Sequence, residues 1–171
     1  PYDINTASFV VVTPAQAFQV KTGTYTGTGS AKTVTGLGFN PDLVIIKAGT
    51  DNNQSAVFRT KSMAGDSTAY FAVGNGNFTN GIKSLDTGGF SLGTHATVNK
   101  SGVTYYWQVY GNASLSQDFK IGTYTGSGLD NRNITAGFQP DLVVVKRNGG
   151  DQGIWRTSSH VGDISSFFNS N

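Results

Sequence analysis

The sequence predicts an all-β protein made of tandem β-sandwich, jelly-roll-like repeats of about 99 residues. Three observations carry that prediction. Residues 23–47, GTYTGTGSAKTVTGLGFNPDLVIIK, return at 122–146 as GTYTGSGLDNRNITAGFQPDLVVVK without a gap. A second segment, Arg59-Thr60 with Ser62 and Gly65-Asp66, returns as Arg156-Thr157 with Ser159 and Gly162-Asp163. Finally, the chain has no Glu and only 1 Met, while Thr, Val, Tyr, Phe, Asn and its 23 Gly are plentiful, a composition poor in helix formers and rich in strand and turn formers.

Taken in order, residues 1–17 read as a lead-in and a strand of a preceding or neighbouring unit. Phe9, Val10, Val11 and Val12 form a continuously apolar run stopped by Pro14. Residues 18–112 form a complete repeat. It opens with alternation from Phe18 to Thr24, in either phase, followed by a strand over 32–35. Pro41-Asp42 suits a turn, since proline presets φ and aspartate bonds back to the backbone. Residues 43–47 are apolar on both faces and predict a central strand, with Phe39 and its counterpart Phe138 buried at its entry. Residues 56–60 run back as a strand with Phe58 inward, and 67–73 form another, ended by a Gly74-Asn75-Gly76 turn. Ile82 and Leu85, three apart, suit one helical turn; 90–93, 95–99 and 103–110 complete the unit as strands. Residues 113–171 then make an incomplete second repeat, in which the equivalents of 90–110 are missing.

The polar residues outline few sites. Net charge is +2 with the cations scattered, so no basic stripe is present to grip nucleic acid, and no apolar run is long enough for membrane insertion. Asp42 and Asp141 have a structural use in their turns and lack a second carboxylate for acid–base work. Arg59 and Asp66, repeated as Arg156 and Asp163, are the candidate polar site: either a bidentate pair that pins a loop or a pocket for a sugar or carboxylate. Tyr105 and Trp107 are the candidate aromatic surface for stacking a glycan, although alternation sends half of that strand inward. His95 and His160 are not equivalent and there is no Cys, so neither a metal nor a cofactor is expected. Lys47 and Lys146 offer an isopeptide donor without a marked carboxylate partner.

The spaced motifs GxYTGxG, GFxPDLVxxK, RTxSxxGD, GGFSLG and SGVTYYWQVYG resemble an uncharacterised tandem β-repeat family of phage tail-fibre-like proteins and large bacterial surface proteins. The resemblance spans residues 18–110 and, in part, 119–168. It implies an extracellular repeat, on a cell surface or virion appendage, with no catalytic residues. The expectation is therefore a non-enzymatic structural repeat whose partners are adjacent repeats or other copies of itself; the alternative is an adhesin module for a surface glycan or host receptor. The apolar run Phe9, Val10, Val11 and Val12 is the candidate donor strand for completing the second unit in trans, the other expectation being a longer chain that completes it in cis.

Overall fold

The computed structural model describes residues 17–49, 51, 54–72, 74–113 and 117–168. The candidate donor strand, residues 9–12, lies outside them. The described chain is all-β, in several antiparallel sheets.

Strands β1 (Gln19–Thr26), β2 (Lys32–Val34), β3 (Pro41–Ala48), β4 (Val57–Thr60) and β5 (Ala69–Tyr70) come first. Next are β6 (Ile82–Asp86), β7 (Gly89–Leu92), the short helix α1 (Ala96–Asn99) and β8 (Thr104–Gly111). One sheet has the order β1-β8-β3-β4-β5 and the other β2-β7-β6. Strict alternation along the central strands sends Val44, Ile46, Tyr105, Trp107 and Val109 to one side, where they bury against Ile82, Phe90 and Leu92 of the smaller sheet and Val98 of α1. Each such side chain contributes about 1.5–3 kcal/mol of burial.

Two bulges shape it. Asp42 is the extra residue between the Pro41 and Leu43 pairings of β3 with β8, so both Pro41 and Asp42 are buried. Asp42 therefore stands at the start of a strand, not in a turn. In β6 the register shifts between Ile82 and Ser84; Ile82 then faces Leu92 while Leu85 faces Phe90. Spacing by three here comes from a bulged strand, which corrects the helical turn expected for Ile82 and Leu85.

Other corrections follow from local chemistry. Residues 96–99 form a helical turn, not a strand, because the His95 ring caps it: Nδ1 accepts the Thr97 N–H at 3.2 Å. Val57, not Phe58, joins the main core; Phe58 is buried on the opposite face against Phe71, with ring centroids 4.5 Å apart. Phe39 and Phe138 are only half-buried, and Leu37 takes the buried place near the entry to β3. The strand expected over 67–73 is reduced to β5, and its return closes by a bridge between Thr68 and Phe78 across a longer loop than the Gly-Asn-Gly signal suggested.

The second part of the chain holds β9 (Leu142–Val145), β10 (Ile154–Thr157) and β11 (Ser166–Phe167), in the order β11-β10-β9. These are the counterparts of β3, β4 and β5 and keep their register: Val143 faces Arg156 as Val44 faces Arg59, and Ile154 faces Phe167 as Val57 faces Tyr70. The counterparts of β1 and β2 form no strand among the described residues. In the first unit those two strands pair only with β8 and β7, which have no counterpart among the described residues after 118. A ladder needs both sides, so only strands with a partner in the chain form.

Candidate functional site

Alternation along β4 places Arg59 on the same side as Val57, so its side chain is carried inward and the residue is only 7% exposed. Within reach is the loop of residues 61–67. Nη1 donates to the Ser67 carbonyl at 2.6 Å, and Nη2 donates to the carbonyls of Met63, at 3.3 Å, and Gly65. Gly65 turns the loop at φ 58, a backbone state that any side chain would strain, and so points its carbonyl at the guanidinium. Burial lowers the Arg59 pKa from its usual high value, partly offset by the nearby Asp66 charge. Asp66 makes a different bond: its Oδ2 accepts the Asn80 N–H at 3.0 Å, tying the loop to the start of β6. Arg59 thus pins the loop as one sequence reading held, but through carbonyls and not through a bidentate Arg59–Asp66 pair.

The second unit repeats this clasp. Arg156 Nη1 donates to Ile164 O at 2.5 Å, and Nη2 to His160 O at 3.4 Å and Gly162 O at 2.5 Å, with Gly162 at φ 68. Each acceptor stands at the same spacing from its arginine as in the first unit. Asp163 shares the repeat position of Asp66 on an exposed stretch. Both guanidiniums are engaged by their own backbone, which leaves them few donors for a sugar or carboxylate.

The candidate aromatic surface is the opposite face from the one expected. Tyr105 and Trp107 are buried core residues, whereas Tyr106 is 57% exposed. The phase was legible in the polar partners: Thr104, Tyr106, Gln108 and Tyr110 share the outer side of β8. Tyr105 stacks on Tyr25 with centroids 5.2 Å apart, and their hydroxyls donate to Ala96 O and Val98 O, each at 2.6 Å. Burial pushes both phenols upward in pKa, so they stay neutral donors. Asn99 completes this cluster: Nδ2 donates to Ser30 O and Gly93 O while Oδ1 accepts the Thr28 N–H. Asn99 was missed by sequence reasoning, since nothing local marks an asparagine that ties the turn at 28–30 to Gly93.

One pairing looks catalytic. His160 Nε2 lies 3.2 Å from Ser166 Oγ, and its Nδ1 lies 3.1 Å from the Thr157 N and 2.9 Å from Thr157 Oγ1. A backbone N–H only donates, so Nδ1 is the acceptor and Nε2 carries the proton. Nε2 therefore donates to Ser166 and is not free to take its proton, the reverse of what a nucleophilic serine needs. In the first unit Met63 Sδ holds the same place, 3.4 Å from the Thr60 N, which gives His160 a capping role. No group of three or more metal-ligating residues occurs among the described residues.

Several other charged residues are structural ties. Asp42 pairs with Lys61 at 2.6 Å and accepts the Ala113 N–H at 2.5 Å; Asp141 accepts from Ser158 Oγ at 3.1 Å. Lys47 and Lys146 donate to backbone carbonyls, not to an asparagine side chain. Asp51 pairs with Lys100 at 2.9 Å.

What is left is apolar. Strand β9 pairs with β10 alone, and Val143 is 42% exposed where its counterpart Val44 is fully buried between β4 and β8. Val143, Val145, Ile154 and Trp155, with Arg156 and Ser165, line a hollow of about 180 Å³. Among the described residues no helix is long and apolar enough to cross a membrane.

No curated protein and no solved structure matches the chain. Residues 13–118, more than half of the chain and the whole of the two-sheet unit, match the family model described as a domain of unknown function, DUF7483, and the chain belongs to that family.

Proposed function

We propose that the chain is a non-enzymatic structural repeat of an extracellular fibre, filament or surface appendage, on a cell surface or phage tail, built of tandem β-sandwich units. It works by stiffness and reach and assembles through β-strand and end-to-end contacts with adjacent repeats or other copies. The observation that carries this reading is the reconstruction of β3-β4-β5 as β9-β10-β11, with the same register and the same arginine clasp. A site built for binding or catalysis would duplicate a chemical group turned toward solvent; what is duplicated here turns toward its own backbone. Of the residues expected to hold a glycan in the adhesin alternative, Tyr105 and Trp107 are in the core.

The test is shape. Chains carrying one, two and three copies of residues 18–116, compared by small-angle X-ray scattering, should lengthen in equal steps per copy. A compact particle whose maximum dimension barely grows with copy number would overturn the reading.

A further inference from the structure

In the first unit β8 lies between β1 and β3, antiparallel to both, with Trp107 opposite Gly23 on one side and Ile46 on the other. The Trp107 ring occupies the space above Gly23, where a Cβ would run into it. The second unit repeats both flanking tracks: Gly122 and Tyr124 correspond to Gly23 and Tyr25, and Leu142–Val145 corresponds to β3. Among the described residues no strand stands where β8 would be. A Cβ at Gly122 would meet no atom within 4 Å, and Tyr124, whose counterpart stacks on Tyr105, is 51% exposed.

From this we propose that β9 is an acceptor edge for one more antiparallel strand, an extended segment with the Tyr-x-Trp-x-Val-x-Gly pattern of β8, supplied by a further copy of the repeat. This deepens the structural-repeat reading and rests on it. The free N–H and C=O groups of β9 supply the ladder, as in strand addition to any open sheet edge. Transferring the β3–β8 register, the incoming Val lies opposite Val143 and the incoming Trp opposite Val145, both of which line the apolar hollow. Selectivity comes from the glycine track, because only a position without a Cβ leaves room for the indole ring.

The test uses the full chain and a synthetic peptide of residues 103–112, flanked by lysines for solubility. Titration should saturate and should slow amide hydrogen exchange at 142–146 by at least tenfold. A peptide with serine at the positions of Tyr105 and Trp107 should bind at least tenfold more weakly. Gly122→Val in the chain should weaken binding of the native peptide by a similar factor. Because a Cβ at Gly122 meets nothing, this variant keeps the free chain's fold, which exchange in β3 and β8 will verify. Equal binding of the serine peptide, indifference to Gly122→Val, or no protection at 142–146 overturns the proposal. So does self-association without peptide that vanishes when residues 1–14 are removed, since the occupant is then the lead strand of a second copy. If the peptide fails to bind while tandem chains still lengthen by equal steps, the acceptor edge is wrong and the structural-repeat reading stands.

Discussion

An arginine whose guanidinium faces its own loop fixes that loop in a way lysine cannot, because the planar fork reaches several carbonyls at once while an ammonium acts as one point charge. Arg59→Met should cost about 2 kcal/mol, since the part-buried bonds from the charged guanidinium to the Gly65 and Ser67 carbonyls are lost. Arg59→Lys should recover less than half of that loss in urea denaturation. Full recovery by lysine would show that charge, not geometry, holds the loop. The cap of α1 gives a second, pH-dependent prediction. His95 is packed on Phe78, with ring centroids 4.2 Å apart, and burial lowers its pKa from the ordinary 6.5. In the folded state the neutral ring is favoured, so the unfolded chain binds more protons just below pH 6.5 and stability falls as pH drops through that value toward the lowered folded one. Above pH 6.5 this contribution is fully present. Protonation also removes the Nδ1 acceptor for Thr97. His95→Asn keeps a capping oxygen without titrating; its denaturation midpoint, followed from pH 7.5 to 5.5, should lack the part of the acid slope due to His95. An unchanged slope would exclude His95 as the source.

At the scale of elements, ladder partners and bulges decide what the sequence can reveal. β1, β2, β3, β4, β7 and β8 were legible because their alternation or apolar runs match the pleat. The counterpart of β1 at 118–125 has nearly the same residues, yet it forms no strand without a β8 beside it. Local sequence cannot report an absent neighbour. β6 was obscured because its bulge converts a spacing of two into three, and α1 because a histidine ring does the capping usually done by Ser, Thr, Asp or Asn. Of the candidate site, the Arg59–loop tie was legible from the repeated motif, but the phase of Tyr105 and Trp107 was reversed, as Gln108 on the outer face shows. The same partner logic gives a prediction for two equivalent glycines. Gly23→Ala should cost about 1–3 kcal/mol because the indole of Trp107 must move. Gly122→Ala should change stability by less than about 0.5 kcal/mol. Equal effects would mean that the Trp107 ring does not need the glycine track.

The described residues of the whole molecule fall into a two-sheet part and a smaller three-stranded sheet, and the two parts touch at a few places. Phe71 follows β5 and Phe168 follows β11; they occupy the same place in the repeat, and their rings meet at 4.9 Å. The Gly153 N–H donates to Phe71 O at 2.9 Å, and Asn77 Nδ2 donates to Asn148 Oδ1 at 2.8 Å. Of these three contacts, the Phe71–Phe168 pair joins equivalent positions of the sequence repeat, and the other two do not. The joint is also small beside the core of the first unit, which is assembled from residues 25–109. It follows that the first unit should fold without the second. A chain ending at residue 118 should keep the main thermal transition of the full chain within about 3 °C, a shift corresponding to well under 1 kcal/mol for a domain of this size. Residues 142–157, with their exposed valines, should exchange amide hydrogens faster than β3 and β8 in the full chain. If the shortened chain instead melts far lower, the Phe71–Phe168 joint is part of the core, and the two units form a single cooperative body.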